Sequence, residues 1–175
     1  MDAPEWLTPC QIEDWKALMA VTLALPAALD RQLKRDSCLN GFEYHVLAAL
    51  SESPGRALPM SVLATLANGS MSRLSHVVGR LEAAGWVERR SSQLTGCRTE
   101  ARLTESGWIK IQEAAPGHVS EARRLVVDVL TPEELRALGA AARKIVQMAD
   151  PRLGPRLSAT AETGHDRDAV HRPPA

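Results

Sequence analysis

Aromatic side chains are nearly absent from this chain of 175 residues, which has one Phe, one Tyr and four Trp. Strand-favouring Ile and Tyr are scarce while Ala and Leu are abundant, so the balance points to helix and excludes an all-β fold. Long apolar runs are missing too: no stretch approaches the ~20 consecutive apolar residues that cross a bilayer. The chain starts Met1-Asp2-Ala3-Pro4-Glu5, acidic where a secretion signal is basic, and a cytoplasmic protein without a membrane span is expected. Cys10, Cys38 and Cys97 are too few and too far apart for a disulfide framework or a Cys-x-x-Cys site, so no structural metal is expected. No Gly-rich phosphate loop occurs, and Ser75-His76, adjacent on one helix face, do not set up a nucleophile and base. Neither catalysis nor a cofactor is expected.

Net charge is also missing, with 21 basic against 21 acidic side chains, but the charge is segregated. Residues 1–55 hold 4 basic and 8 acidic groups, residues 56–102 hold 7 and 3, and residues 103–175 hold 10 and 10. The basic middle block is a candidate anion-binding face. The 45% hydrophobic content suits one or at most two compact domains.

Apolar residues recur at helical spacing from Cys10 to Arg35, which predicts a long amphipathic helix with a kink at Pro26. A second helix follows from about Phe42 to Glu52, with Phe42, Val46, Leu47 and Leu50 facing inward, until Ser53-Pro54-Gly55 stops it. Pro59 suits the first turn of a short helix carrying Val62, Leu63 and Leu66, which ends at Asn68-Gly69. Ser70 caps the next helix, whose inner stripe is Leu74, Val77, Val78, Leu81 and Ala84 and which Gly85 closes. Residues 86–90 and 99–103 alternate in period two and predict a short antiparallel ribbon. Thr104 caps a helix running to Pro116-Gly117 and, after a kink, on to Leu130; Thr131-Pro132-Glu133-Glu134 opens a last helix that ends near Ala149. Residues 150–175, with four prolines and few aliphatic side chains, are expected to be a disordered tail.

Two short helices joined by a tight turn and followed by a basic ribbon make a winged helix-turn-helix, which places one helix in a DNA major groove. The outer face of that helix reads Ser72, Arg73, Ser75, His76, Gly79 and Arg80. Its N-terminal turn directs backbone amides and Ser70 or Ser72 at phosphates. Arg73 is suited to donate two bonds to guanine or to hold a phosphate, and His76 lies one turn on. Arg80 either pairs within the protein or touches phosphate. Arg89 and Arg90 are read as phosphate contacts, while Arg98 and Arg102 would cross the backbone or enter the minor groove.

Met60-Ser61-Val62-Leu63-Ala64, Ser70 to His76, and Arg80-Leu81-Glu82-Ala83-Ala84-Gly85-Trp86-Val87 resemble the recognition region of MarR-family transcriptional regulators. Leu103-Thr104-Glu105-Ser106-Gly107 resembles that family's exit from the wing, and the likeness in element order spans roughly Trp6 to Ala149. It implies a mainly α fold with a small β-wing: a winged helix-turn-helix over 41–104, flanked by dimerisation helices at 1–40 and 105–149. It also implies a homodimer whose two wings and recognition helices bind a pseudo-palindromic double-stranded operator, a repressor released by a small-molecule effector. The effector crevice implied by the resemblance would draw on Trp15, Leu18, Met19, Tyr44, His45 and Trp108, for each of which ordinary core packing is the competing account.

The chain departs from the family pattern in the wing, where Cys97 stands near the place of a usual arginine and Arg98 follows one residue on. Gly79 stands where relatives often carry Asp, and Asn68-Gly69 replaces an aliphatic pair. Two alternatives therefore stay open: a dimeric ligand- or protein-interaction module that has lost operator recognition, and an oxidant sensor using Cys97 activated by Arg98.

Overall fold

The computed structural model describes residues 5–67, 69–92 and 98–151. Helix α1 (Pro9–Ser37) starts at a capping box in which Thr8 Oγ1 accepts from the Gln11 amide at 3.3 Å and Gln11 Oε1 accepts from the Thr8 amide at 2.8 Å. It runs on as one helix through Pro26, the expected kink position, because one missing amide is a small loss in a ladder of 29 residues. Helix α2 (Gly41–Ser51) starts at a second box made by Asn40 and Glu43, and the Gly41 amide donates to Asp30 Oδ1 at 2.8 Å, tying α1 to α2.

A single turn at 54–56 leads to strand β1 (Ala57–Pro59) and helix α3 (Met60–Leu66), and then helix α4 (Met71–Ala83) follows. Strand β1 is an addition to the expected two-stranded ribbon: three residues are too few to show alternation, and the strand exists only by pairing with β3. Strands β2 (Val87–Ser92) and β3 (Arg98–Leu103) are antiparallel, and the sheet order is β1-β3-β2. In register, Val87 faces Leu103, Glu88 faces Arg102 and Arg90 faces Glu100. Val87, Ala101 and Leu103 are buried, so one sheet face covers the core and the other carries the charges.

The core joins Phe42, Val46, Leu47 and Leu50 of α2 to Leu63 of α3 and to Leu74, Val77, Val78 and Leu81 of α4. Each buried aliphatic side chain contributes about 1.5–3 kcal/mol of transfer free energy. Tyr44 is buried with the α2 stripe, whereas Ala84 is the exposed C-cap of α4 rather than part of its stripe. Gly85 closes α4 at φ 76, a left-handed conformation that glycine adopts without strain.

Helix α5 (Glu105–Ala122) is capped by Thr104, whose hydroxyl accepts from the Gly107 amide at 3.0 Å and donates to the Gly85 carbonyl at 2.7 Å. Ser106 donates to the same carbonyl at 2.7 Å, so the end of α4 and the start of α5 are locked together. A Cβ at Gly107 would overlap the carbonyl oxygen of Trp86, which is why the first turn of α5 carries glycine. Helix α5 continues through Pro116, the expected kink position, and a π-helical turn follows at Arg123–Val127.

The chain divides into two compact units, Met1–Val126 and Val127–Ala175. In the second, α6 (Pro132–Ala149) starts at Thr131 with a capping box to Glu134, proline at the first position and two acids in the first turn. None of the described residues of α6 is buried, and Leu138, Ile145 and Met148 are exposed along one stripe. The expected tail lies outside the described residues beyond 151. Among the described residues, no helix is long and apolar enough to cross a membrane, and no group of three or more His, Cys, Asp or Glu is placed to hold a metal.

Candidate nucleic-acid interface

Ser70 Oγ accepts from the Arg73 amide at 3.2 Å, which caps α4 and leaves its first turn facing outward. Burial of Leu74, Val77 and Val78 fixes the helix rotation, so Ser70, Ser72, Arg73, Ser75, His76 and Arg80 are all exposed. Six of the ten expected DNA contacts thus share the solvent side of one helix. The Arg73 guanidinium carbon lies 4.2 Å above the ring centroid of Phe42, a cation–π contact that holds a long side chain at the start of the helix.

Arg80 is turned back toward α2. Its Nε and Nη2 donate to Glu43 Oε1 at 2.9 and 2.8 Å, while Glu43 Oε2 accepts from the Asn40 amide. Between α1, α2 and α4 lies an open cleft of about 410 Å³ whose wall includes Lys34, Arg73, His76 and Arg80 against the single carboxylate of Asp30. The Gly41 amide first, then Lys34, hold the Asp30 carboxyl below its ordinary range.

In the wing, Arg90 and Arg102 project from the charged sheet face. Arg90 Nη2 lies 2.7 Å from Glu88, and Arg102 is exposed. Arg89 points to the opposite face and is taken up by α4: Nη2 donates to the Ser75 carbonyl at 2.7 Å and Nε lies 3.2 Å from Glu82 Oε2. Arg98 starts β3 opposite Ser92, and its side chain, like the whole of Cys97, lies outside the described part. Arg56, unremarked in the sequence, pairs with Glu105 at 3.1 Å and stacks 4.1 Å from the Trp108 ring centroid, joining the root of the wing to α5.

The six residues of the expected crevice are not gathered in one place within the chain. Tyr44 and His45 are together, and the Tyr44 ring lies 4.2 Å from that of His118, which follows Pro116-Gly117 directly and was not among the expected crevice residues. Trp108, under Arg56, is ten residues earlier on α5, about 15 Å along the axis. Met19 precedes buried Gln32 by thirteen residues of α1, about 20 Å, and Leu18 and Trp15 lie farther still. Gln32 Oε1 and His118 Nδ1 are buried without a hydrogen-bond partner, although Gln32 Nε2 donates to Asp36 at 3.0 Å. Burial holds the His118 imidazole below the ordinary histidine range, and nearby His45 adds to the effect; burial also lowers His45. Burial and then Glu52 raise Tyr44, so its hydroxyl stays protonated.

No family model and no curated protein matches the sequence. Solved structures do. Sco3205, a MarR family transcriptional regulator from Streptomyces coelicolor in complex with DNA, is 39% identical with a TM-score of 0.82, over 86% of this chain and 94% of that one. AbsC, a MarR family transcriptional regulator from the same organism, is 35% identical with a TM-score of 0.79, over 83% of this chain and 98% of that one. Sco5413, also a MarR family regulator from Streptomyces coelicolor, is 21% identical with a TM-score of 0.69 over 81% of this chain and 96% of that one, a likeness of fold.

Proposed function

The chain belongs to the MarR family of DNA-binding transcriptional regulators, and from that premise we propose that it is a cytoplasmic homodimer that represses transcription from a pseudo-palindromic operator until a small molecule releases it. The observation that carries the operator reading is the outer face of α4, where Ser72, Arg73, Ser75 and His76 stand exposed behind the Ser70 cap. A helix so capped and so charged suits a major groove, with phosphates at its N-terminus and Arg73 at a base edge. Sco3205, crystallised in complex with DNA, supports the same reading.

In this proposal residues 41–104 bind DNA and the helices of 1–40 and 105–149 make the dimer. Support comes from apolar side chains left in solvent: on α1, Trp15, Val21 and Leu23 are 52, 52 and 76% exposed, and Ile109 and Val119 of α5 are half exposed. Two copies would present two recognition helices to half-sites about 10 base pairs apart. The effector reading is supported by the polar cluster of Gln32, Tyr44, His45 and His118 between α1, α2 and α5, where two buried polar atoms lack partners. An effector there would release DNA only by preferring one arrangement of the helices over another.

Selection of bound duplexes from a random-sequence pool by the full chain tests this function. The expected product is a site with two inverted half-sites about one helical turn apart. A pool that never enriches, or a selected site without two-fold symmetry, would overturn the proposal.

A further inference from the structure

Arg89 is one of seven basic residues of the middle block and looks from sequence like a phosphate contact. Its surroundings in the fold differ from those of its neighbour Arg90. The Arg89 backbone amide donates to Glu82 Oε1 at 2.9 Å, its Nε faces Glu82 Oε2 at 3.2 Å, and its Nη2 donates to the Ser75 carbonyl at 2.7 Å. Both oxygens of one carboxylate are therefore spent on one arginine. Ser75 and Glu82 are seven residues apart, so one guanidinium joins groups rooted two turns apart on α4, about 10 Å along the backbone. It lies along the helix beside Gly79, where a Cβ would stand 3.7 Å from Nη2.

The connection that this side chain crosses is short. Strand β2 leaves α4 through Ala84, Gly85 and Trp86, with Gly85 at φ 76, and without a cross-link the strand direction relative to the helix rests on the burial of Val87 and on the ladder with β3. A wing and a recognition helix that bind one duplex must reach it at a fixed separation, and a bidentate guanidinium supplies that geometry where a point charge does not.

We propose that Arg89 is a positioning residue: with Glu82 and the Ser75 carbonyl it braces the wing against the recognition helix and sets their relative angle for specific DNA, without itself contacting phosphate. The inference rests on the DNA-binding reading above.

Three single variants of the full chain, Arg89→Gln, Arg89→Lys and Glu82→Gln, and the double variant Arg89→Gln with Glu82→Gln separate the two roles. Each is measured by fluorescence anisotropy on a selected site and on a random duplex across a salt series, after thermal unfolding has shown it folded. The brace predicts that Arg89→Gln and Glu82→Gln each weaken specific binding about tenfold, that the double variant is no worse than either, and that the random-duplex affinity and salt slope of the charge-balanced double variant stay those of the wild type. Loss of affinity in Glu82→Gln is diagnostic, because removing an acid from a DNA-facing lobe strengthens binding if only charge matters. Arg89→Lys should fail like Arg89→Gln, since an ammonium cannot serve both acceptors across two turns.

The brace is overturned if Arg89→Gln lowers the salt slope by about 0.9, the share of one phosphate, while Glu82→Gln binds normally. It is equally overturned if Arg89→Lys restores specific binding. A wild-type chain that binds neither duplex instead overturns the DNA-binding reading, and the brace as a DNA-positioning device falls with it.

Discussion

Phe42 of α2 carries Arg73 of α4 on its ring face, with the guanidinium carbon 4.2 Å from the centroid. The same ring is hemmed in by Gly69, where a Cβ would stand 2.6 Å from Cε2 and Cζ. Arg73, proposed to read a base, is therefore aimed by a core aromatic and, through it, by the turn before α4. Arg73→Ala should cost roughly 1–3 kcal/mol in specific binding and relax sequence preference at one position. Phe42→Leu, which leaves Arg73 in place without its platform, should cost about 0.5–1 kcal/mol of the same affinity. Anisotropy on a selected site checks both, and an unchanged affinity in Arg73→Ala would remove it from the interface.

Two glycines should respond in opposite directions. Gly107 abuts the Trp86 carbonyl and lies 2.8 Å, by its missing Cβ, from Leu103 Cδ1, and backbone cannot move aside as a side chain can. Gly107→Ala should destabilise the fold by about 3 kcal/mol. Gly79 sits mid-helix with only Arg89 Nη2 near its missing Cβ, at an ordinary contact distance of 3.7 Å. Gly79→Ala should stabilise by about 0.5–1 kcal/mol. Urea unfolding of both variants checks the pair.

Stability should fall as the solution is acidified below neutrality. His118 and His45 both titrate in the folded state below their ordinary value of 6.5 because burial disfavours the charged imidazole. The unfolded chain then binds more protons between that value and the lower folded ones, so stability is fully present above the unfolded pKa, declines as pH falls through it, and levels off below the folded pKa. His118→Gln should flatten this part of the curve in denaturant titrations between pH 5 and pH 8, a range set by ordinary histidine behaviour at about 6.5.

Much of the fold was legible because its signals are local. Ser70, Thr104 and Thr131 each cap a helix by bonding an amide three residues on, and the apolar stripe of α4 orients its polar face without knowledge of any partner. What sequence concealed depends on distant residues. Strand β1 exists through β3, more than forty residues away in the chain. Arg80 is drawn to Glu43 across 37 positions and Arg56 to Glu105 across 49, and nothing in a basic block says which arginines are claimed inside the protein. Proline left its mark without ending an element: the helices continue through both Pro26 and Pro116, each at the loss of one backbone amide.

Self-association should be tight and apolar. Trp15→Arg or Leu23→Arg, each placing a charge on an exposed face of α1, should shift the sedimentation of the full chain from dimer toward monomer and reduce operator affinity in parallel. Unchanged sedimentation in both variants would exclude that face from the interface.

The most direct test of the whole is fluorescence anisotropy of the full chain on a selected duplex and on a scrambled duplex of equal composition, from about 50 to 200 mM salt. Operator recognition predicts binding to the selected duplex at least a thousandfold tighter than to the scrambled one, with a steep fall in affinity as salt rises. Equal affinity for the two duplexes, or none for either at the lowest salt, would contradict it.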